Sequence, residues 1–123
     1  MHEMAVTQHL LNLALEHADG HRVTDIYLEV GRMSPVVPDS VEVFFRHLSE
    51  ETLADGAKLH FKIMPLEMAC QNCGQPVDLT EWEDQRPHII MGMAIAKGCQ
   101  SCGSKNLRVS AGVGFEMVSI DVE

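Results

Sequence analysis

Two short segments, Cys70-Gln-Asn-Cys73-Gly74 and Cys99-Gln-Ser-Cys102-Gly103, are near copies and constrain this chain more than any other feature. Two residues between cysteines let both sulfurs of a tight turn converge on one ion. The glycine that follows lets the backbone turn back, so that amides face the thiolates. Two such knuckles complete a tetrahedral four-thiolate shell with no open position, the geometry of a structural zinc and not of a catalytic one. Cys70, Cys73, Cys99 and Cys102 are therefore the expected zinc ligands. The opening Met-His-Glu-Met lacks the basic and apolar regions of a secretory signal, and no apolar run approaches the roughly 18 residues of a membrane span. A cytoplasmic protein, away from membranes, is the expectation. In that reducing compartment paired Cys-x-x-Cys motifs favour metal over disulfides, and duplication of the whole knuckle weighs against free thiols or a redox pair.

A formal charge of −9 with no basic run argues against a phosphate-binding surface, since nucleic-acid binders gather Lys and Arg to displace counterions. A zinc-ribbon module for nucleic acid or for a protein complex is the alternative that the knuckles alone would support. The acidic balance suits a cation or a basic protein partner better. An enzyme is not expected: there is no nucleophile-base pair, and a closed four-cysteine site cannot activate water.

Around the knuckles, periodicity predicts the elements. Val6, Leu10, Leu13 and Ala14, widened by Leu11 and Leu15, give a helical stripe from about residue 2 to 17, with Gly20 as its stop. Ile26, Leu28 and Val30 alternate with Asp25, Tyr27 and Glu29 in a half-buried strand. Asp39 and Glu42 resemble a capping box before the stripe of Val41, Phe44, Phe45 and Leu48. Leu59, Phe61 and Ile63 alternate with Lys58, His60 and Lys62 in a second strand. Leu107 and Val109, then Val118, Ile120 and Val122, predict one long or broken final strand, inside which Gly112 and Gly114 would permit a bulge or bend. The expected fold is α+β: two helices on one face of a small three-stranded mixed sheet, with an inserted four-cysteine zinc-ribbon-like domain. Residues 1–66 and 107–123 would form the first domain and 67–106 the zinc domain. Between the knuckles, residues 88–96 are almost wholly apolar. They read as a strand or hairpin packed on the knuckles, or as a surface for a partner or a second copy in a homodimer.

Met1-His2-Glu3 is where further chemistry could reside. The terminal amine of Met1, the amide nitrogen and the imidazole of His2 can chelate one ion in fused rings, a planar nitrogen set that suits Ni(II) or Cu(II). Glu3 would supply a fourth donor or an acceptor behind it. Taken alone, a histidine at position two is weak evidence of metal binding, since many chains carry one there by chance, and His9, His17, His21, His47, His60 and His88 show no paired spacing.

Met1-His2-Glu3, a helix, Val23-Thr-Asp-Ile-Tyr-Leu-Glu-Val-Gly31, Ala57-Lys-Leu-His60, the two knuckles and a terminal Val118-Ser-Ile-Asp-Val-Glu123 occur in this order. Together they closely resemble the HypA/HybF family of hydrogenase nickel-insertion proteins, over essentially the whole chain. The resemblance implies a nickel metallochaperone that carries Ni(II) as cargo on Met1, His2 and Glu3 and holds structural Zn(II) on Cys70, Cys73, Cys99 and Cys102. It implies delivery to the large subunit of [NiFe]-hydrogenase together with a HypB-type GTPase, and in some members service to urease. One departure is the stretch between the knuckles, which is longer than the family's usual one by roughly residues 81–97.

Overall fold

The computed structural model describes residues 3–123. It has three α-helices and five strands, in two compact units. The first unit comprises the residues up to Val30, Ser34–Ile63 and Phe115–Glu123; the second comprises Gly31–Met33 and Met64–Gly114.

In the first unit, helix α1 (Glu3–Ala18) precedes strand β1 (Val23–Gly31), helix α2 (Pro38–Leu48), strand β2 (Lys58–Met64) and, after the second unit, strand β5 (Phe115–Val122). The sheet order is β2-β1-β5, with β1 and β5 antiparallel. Arg22 donates to the Asp55 carbonyl at 2.9 Å, and His60 Nε2 lies 2.8 Å from Asp25 Oδ1. The two segments thus rise in number together, so β2 runs parallel to β1 and the sheet is mixed, as the strand-helix-strand crossover predicts. Leu10, Leu11 and Ala14 of α1, Val41 and Phe45 of α2, and Ile26 and Leu28 of β1 form one buried core. Leu59, Phe61, Phe115, Met117 and Ile120 close its edges. Thr7 is buried among them without orphaned polarity, because its hydroxyl donates to the Glu3 carbonyl at 2.6 Å.

The opposite, solvent-facing side of this sheet carries a polar row. The Tyr27 ring stacks on His60 with centroids 4.7 Å apart, and its hydroxyl donates to Asp121 Oδ2 at 2.7 Å. Asp25, Tyr27, His60 and Asp121 thereby tie all three strands together on the outer face.

Two expectations for this unit are corrected in detail. The α2 cap is not Asp39: Val37 is the N-cap in extended conformation and Pro38 begins the helix, its missing N–H being one of those a first turn leaves unpaired anyway. Asp39 then sits in the first turn, where the helix dipole favours it. In β5, the pairing steps from Tyr27↔Ser119 to Leu28↔Met117, so Val118 is an extra, bulged residue. The bulge inverts which parity faces the core. Phe115, Met117 and Ile120 point inward, while Val118 and Val122 are exposed.

The second unit has its own core. Strand β3 (Glu67–Cys70) pairs antiparallel with β4 (Leu107–Ala111). A short 3-10 turn (Thr80–Trp82) leads to helix α3 (Pro87–Lys97). Leu66, Met68, Val77, Ile90 and Ala94 are buried together, with Trp82, Met91, Leu107 and Val109 around them. The apolar run is thus a helix and not a strand or hairpin. Pro87 at its first position, Arg86 extended before it and Gly98 in a positive-φ conformation after it are the start and stop signals. Ile90 and Ala94, one turn apart, form its buried face; Ile89, Met93 and Ile95 face solvent. The final strand is broken: β4 and β5 belong to different sheets. Gly112, between them, has φ +98°, and a Cβ there would lie 2.6 Å from the Pro65 carbonyl oxygen.

Candidate metal centre

The two knuckles are built by the same backbone bonds. Cys70 N–H donates to the Gln75 carbonyl at 2.9 Å, and Cys99 N–H to the Ser104 carbonyl at 2.8 Å. In return Gly74 N–H donates to the Cys70 carbonyl at 2.9 Å, and Gly103 N–H to the Cys99 carbonyl at 2.8 Å. Each turn closes on a glycine with φ +77°, a conformation that costs a side-chain-bearing residue strain and glycine none. The first cysteine of each knuckle is buried and the second exposed.

Cross-links hold the knuckles in register. Gln71 N–H donates to the Asn106 carbonyl at 2.9 Å, and Asn72 Nδ2 to Ser104 Oγ at 2.8 Å. The same Ser104 oxygen accepts from Asn106 N–H at 3.0 Å. The sequence marks Ser104 only by its place directly after the second knuckle's glycine.

All four sulfurs lie within 4.8 Å of one another. Cys70 Sγ is 3.6 Å from Cys102 Sγ, and Cys73 Sγ is 3.6 Å from Cys99 Sγ. Four sulfurs at about 2.3 Å from a tetrahedral zinc stand about 3.8 Å apart, close to the 3.6 Å of these two pairs. Its protonation points the same way. The Cys102 and Ser101 amides donate to the Cys99 sulfur and outweigh burial, lowering its pKa to about 6. The Cys73 amide chiefly lowers Cys70. For Cys102 the Ser104 amide pulls down, but the Cys70 sulfur, burial and the Cys99 and Cys73 sulfurs together push it up to about 11. Cys73 is likewise raised, the Gln75 amide being outweighed by burial and the neighbouring sulfurs. Protein dipoles thus favour a thiolate at the first cysteine of each knuckle, and four together need a cation among them. Soft, tetrahedral and fully occupied by protein donors, the set suits zinc and leaves no position for substrate.

At the other candidate site, Glu3 opens α1 and is half-buried. Met1 and His2 lie outside the described residues.

Residues 1–122 match the family described as hydrogenase/urease nickel incorporation, metallochaperone, HypA. The chain belongs to the HypA family. Its relatives include the hydrogenase maturation factor HypA of Geobacter sulfurreducens, 32% identical over 123 residues that cover 100% of both chains. The HypA of Aeromonas hydrophila is 34% identical with 99% of each chain covered. Among solved structures, the Ni metallochaperone HypA from Helicobacter pylori matches with a TM-score of 0.66 at 23% identity, covering 99% of this chain and 97% of that one. A second HypA solution structure matches with a TM-score of 0.74, also at 23% identity and covering 100% and 97%. These two likenesses establish the shared HypA fold. Among the described residues no helix is long and apolar enough to cross a membrane.

Proposed function

We propose that this chain is a nickel metallochaperone that serves maturation of [NiFe]-hydrogenase, and of urease where that enzyme is present. The observation that carries this reading is the family match over residues 1–122, which spans the Met1-His2-Glu3 opening and both cysteine knuckles. Ni(II) is cargo and not a resident cofactor. The Met1 amine, the His2 amide nitrogen and imidazole, and Glu3 provide its donors, a nitrogen-rich set matched to square-planar coordination. Because α1 begins at Glu3, the positive end of its dipole opposes the cation by about 0.3–1 kcal/mol, which suits a site that must also let go. Zn(II) on Cys70, Cys73, Cys99 and Cys102 supplies a closed cross-link that holds the knuckles. The chain catalyses no reaction of its own; in the cytoplasm it hands nickel on within a complex with a HypB-type GTPase and the hydrogenase large subunit.

The test is a Ni(II) titration of the zinc-loaded, untagged chain beside His2→Ala, with metals counted by native mass spectrometry. One nickel beside one zinc, with the nickel lost in His2→Ala, is expected. Equal nickel uptake by both proteins would place the cargo elsewhere. No uptake at all would leave the zinc-ribbon binding module as the better reading.

A further inference from the structure

The first unit's sheet has two free edges of opposite character. Edge strand β2 displays Lys58, His60 and Lys62, and lysines on an edge discourage another strand from adding to it. Edge strand β5 has no lysine or arginine. Its exposed residues are Glu116, Val118, Ser119, Asp121 and Val122. Every second residue of β5 points its N–H and C=O away from β1. Among the described residues no main-chain group bonds to that outer side.

Beside this edge lies a groove of about 640 Å³ between α1 and β5. Val6, Leu10 and Leu13 form one wall, and Phe115 and Met117 the other; its polar lining residues are His9 and Glu116. The bulge at Val118 confines flush pairing to residues 115–117, the half of the strand that borders the groove.

We infer that this edge and groove together seat an extended segment of a partner protein, added as a fourth strand, in which apolar residues alternate with lysine or arginine. Main-chain bonds to β5 would give the segment its direction. Every second side chain would drop into the groove, and the basic ones would meet Glu116 at the paired stretch and, where the segment runs on past the bulge, Asp121 and Glu123. Charge decides against a second copy of this chain as occupant: pairing β5 with itself would bring those same carboxylates together, on a chain of net charge −9. Ala5 and Val6, in the first turns of α1, are separated in sequence from the first three residues by Met4 alone. The inference itself does not depend on nickel binding there.

The probe is a capped nine-residue peptide alternating valine with lysine, added to the ¹⁵N-labelled, zinc-saturated full chain. Shift changes are expected at Val6, Leu13, Phe115 and Met117, with slowed hydrogen exchange of the outward amides of residues 115–117. A peptide with glutamate in place of lysine should bind at least about tenfold more weakly, and Glu116→Lys should narrow that gap. N-methylation of alternate peptide amides should abolish binding, because it removes the strand pairing and keeps the side chains. Shifts mapping elsewhere, no binding, or equal binding of the N-methylated peptide would overturn the inference. So would concentration-dependent protection of the same amides without peptide, which would make a second copy the occupant. None of these readouts involves nickel, so their failure is separate from failure of the metallochaperone reading.

Discussion

Alanine at Gly112 tests how the chain passes from β4 to β5. The new Cβ would stand 2.6 Å from the Pro65 carbonyl oxygen and 2.7 Å from Leu66 Cα. Both are main-chain atoms, so no side chain can rotate to make room. The φ of +98° adds its own strain, worth about 1–3 kcal/mol for a residue with a side chain. Relieving the overlap by a backbone shift costs about 1–3 kcal/mol more. The expected loss is therefore about 2–6 kcal/mol. Two companions separate the contributions. Gly20 has φ +85° with nothing within 4 Å of its Cβ position, so Gly20→Ala should cost only the strain, about 1–2 kcal/mol. Gly114 has open space and no positive φ; alanine there should be neutral or stabilise by up to about 1 kcal/mol through the unfolded chain. Urea denaturation of the zinc-saturated chain, followed by hydrogen exchange to read each unit separately, supplies the comparison. A Gly112→Ala loss no larger than that of Gly20→Ala would refute the close-packing argument.

Three further outcomes are expected. Cys99→Ser should lower bound zinc below one per chain and speed hydrogen exchange at Met68, Ile90 and Ala94, while α1 and β1 keep their protection; undiminished zinc would contradict four-cysteine ligation. The hydrogen bond from His60, and then that from Thr24, hold the Asp25 carboxyl below its usual 3.8. A depressed carboxyl pKa stabilises above the unfolded value, and the gain is lost as pH falls through the folded one. The stability advantage over Asp25→Asn should thus be full near about pH 6 and vanish toward about pH 2, and an advantage that grew with acid would reverse the assignment. In β5, Val118→Thr should change stability by no more than about 0.5 kcal/mol because the bulge exposes it, whereas Leu28→Ala should cost about 2–5 kcal/mol; thermal melts of the two would tell them apart.

The first unit was largely legible in the sequence because each of its elements buries one side only. Leu10 and Ala14, Ile26 and Leu28, and Val41 and Phe45 fall at helical or strand spacing, and the structure buries all six. The second unit hid its elements for the converse reason. Met68, Ala69 and Cys70 are all buried, so β3 shows no alternation. The run in α3 is apolar on every side and favours neither period. Its boundaries were written in Pro87 and Gly98, a signal that outranks periodicity in so uniform a segment. The bulge at Val118 was equally hidden, since an extra residue in an apolar strand leaves composition unchanged. At the candidate metal centre the convergence of the four cysteines was plain from their spacing, but the Asn72–Ser104 link needed both knuckles brought together. The Asp25–His60 contact needed the parallel register, which sequence periodicity alone does not set.

Each knuckle closes its own turn, with Cys70 bonded to Gln75 and Cys99 to Ser104, so the cysteine geometry does not depend on the length of chain that joins the two. Doubling such a connection adds only about 0.6 kcal/mol of closure entropy. The stretch that holds α3 is therefore a place where descendants of this chain can gain or lose whole turns of helix without disturbing the cysteine cluster. Insertions inside either five-residue knuckle, by contrast, would be purged. Variation in this lineage should accordingly concentrate between the knuckles, and with it the freedom to acquire new surfaces on an unchanged four-cysteine scaffold.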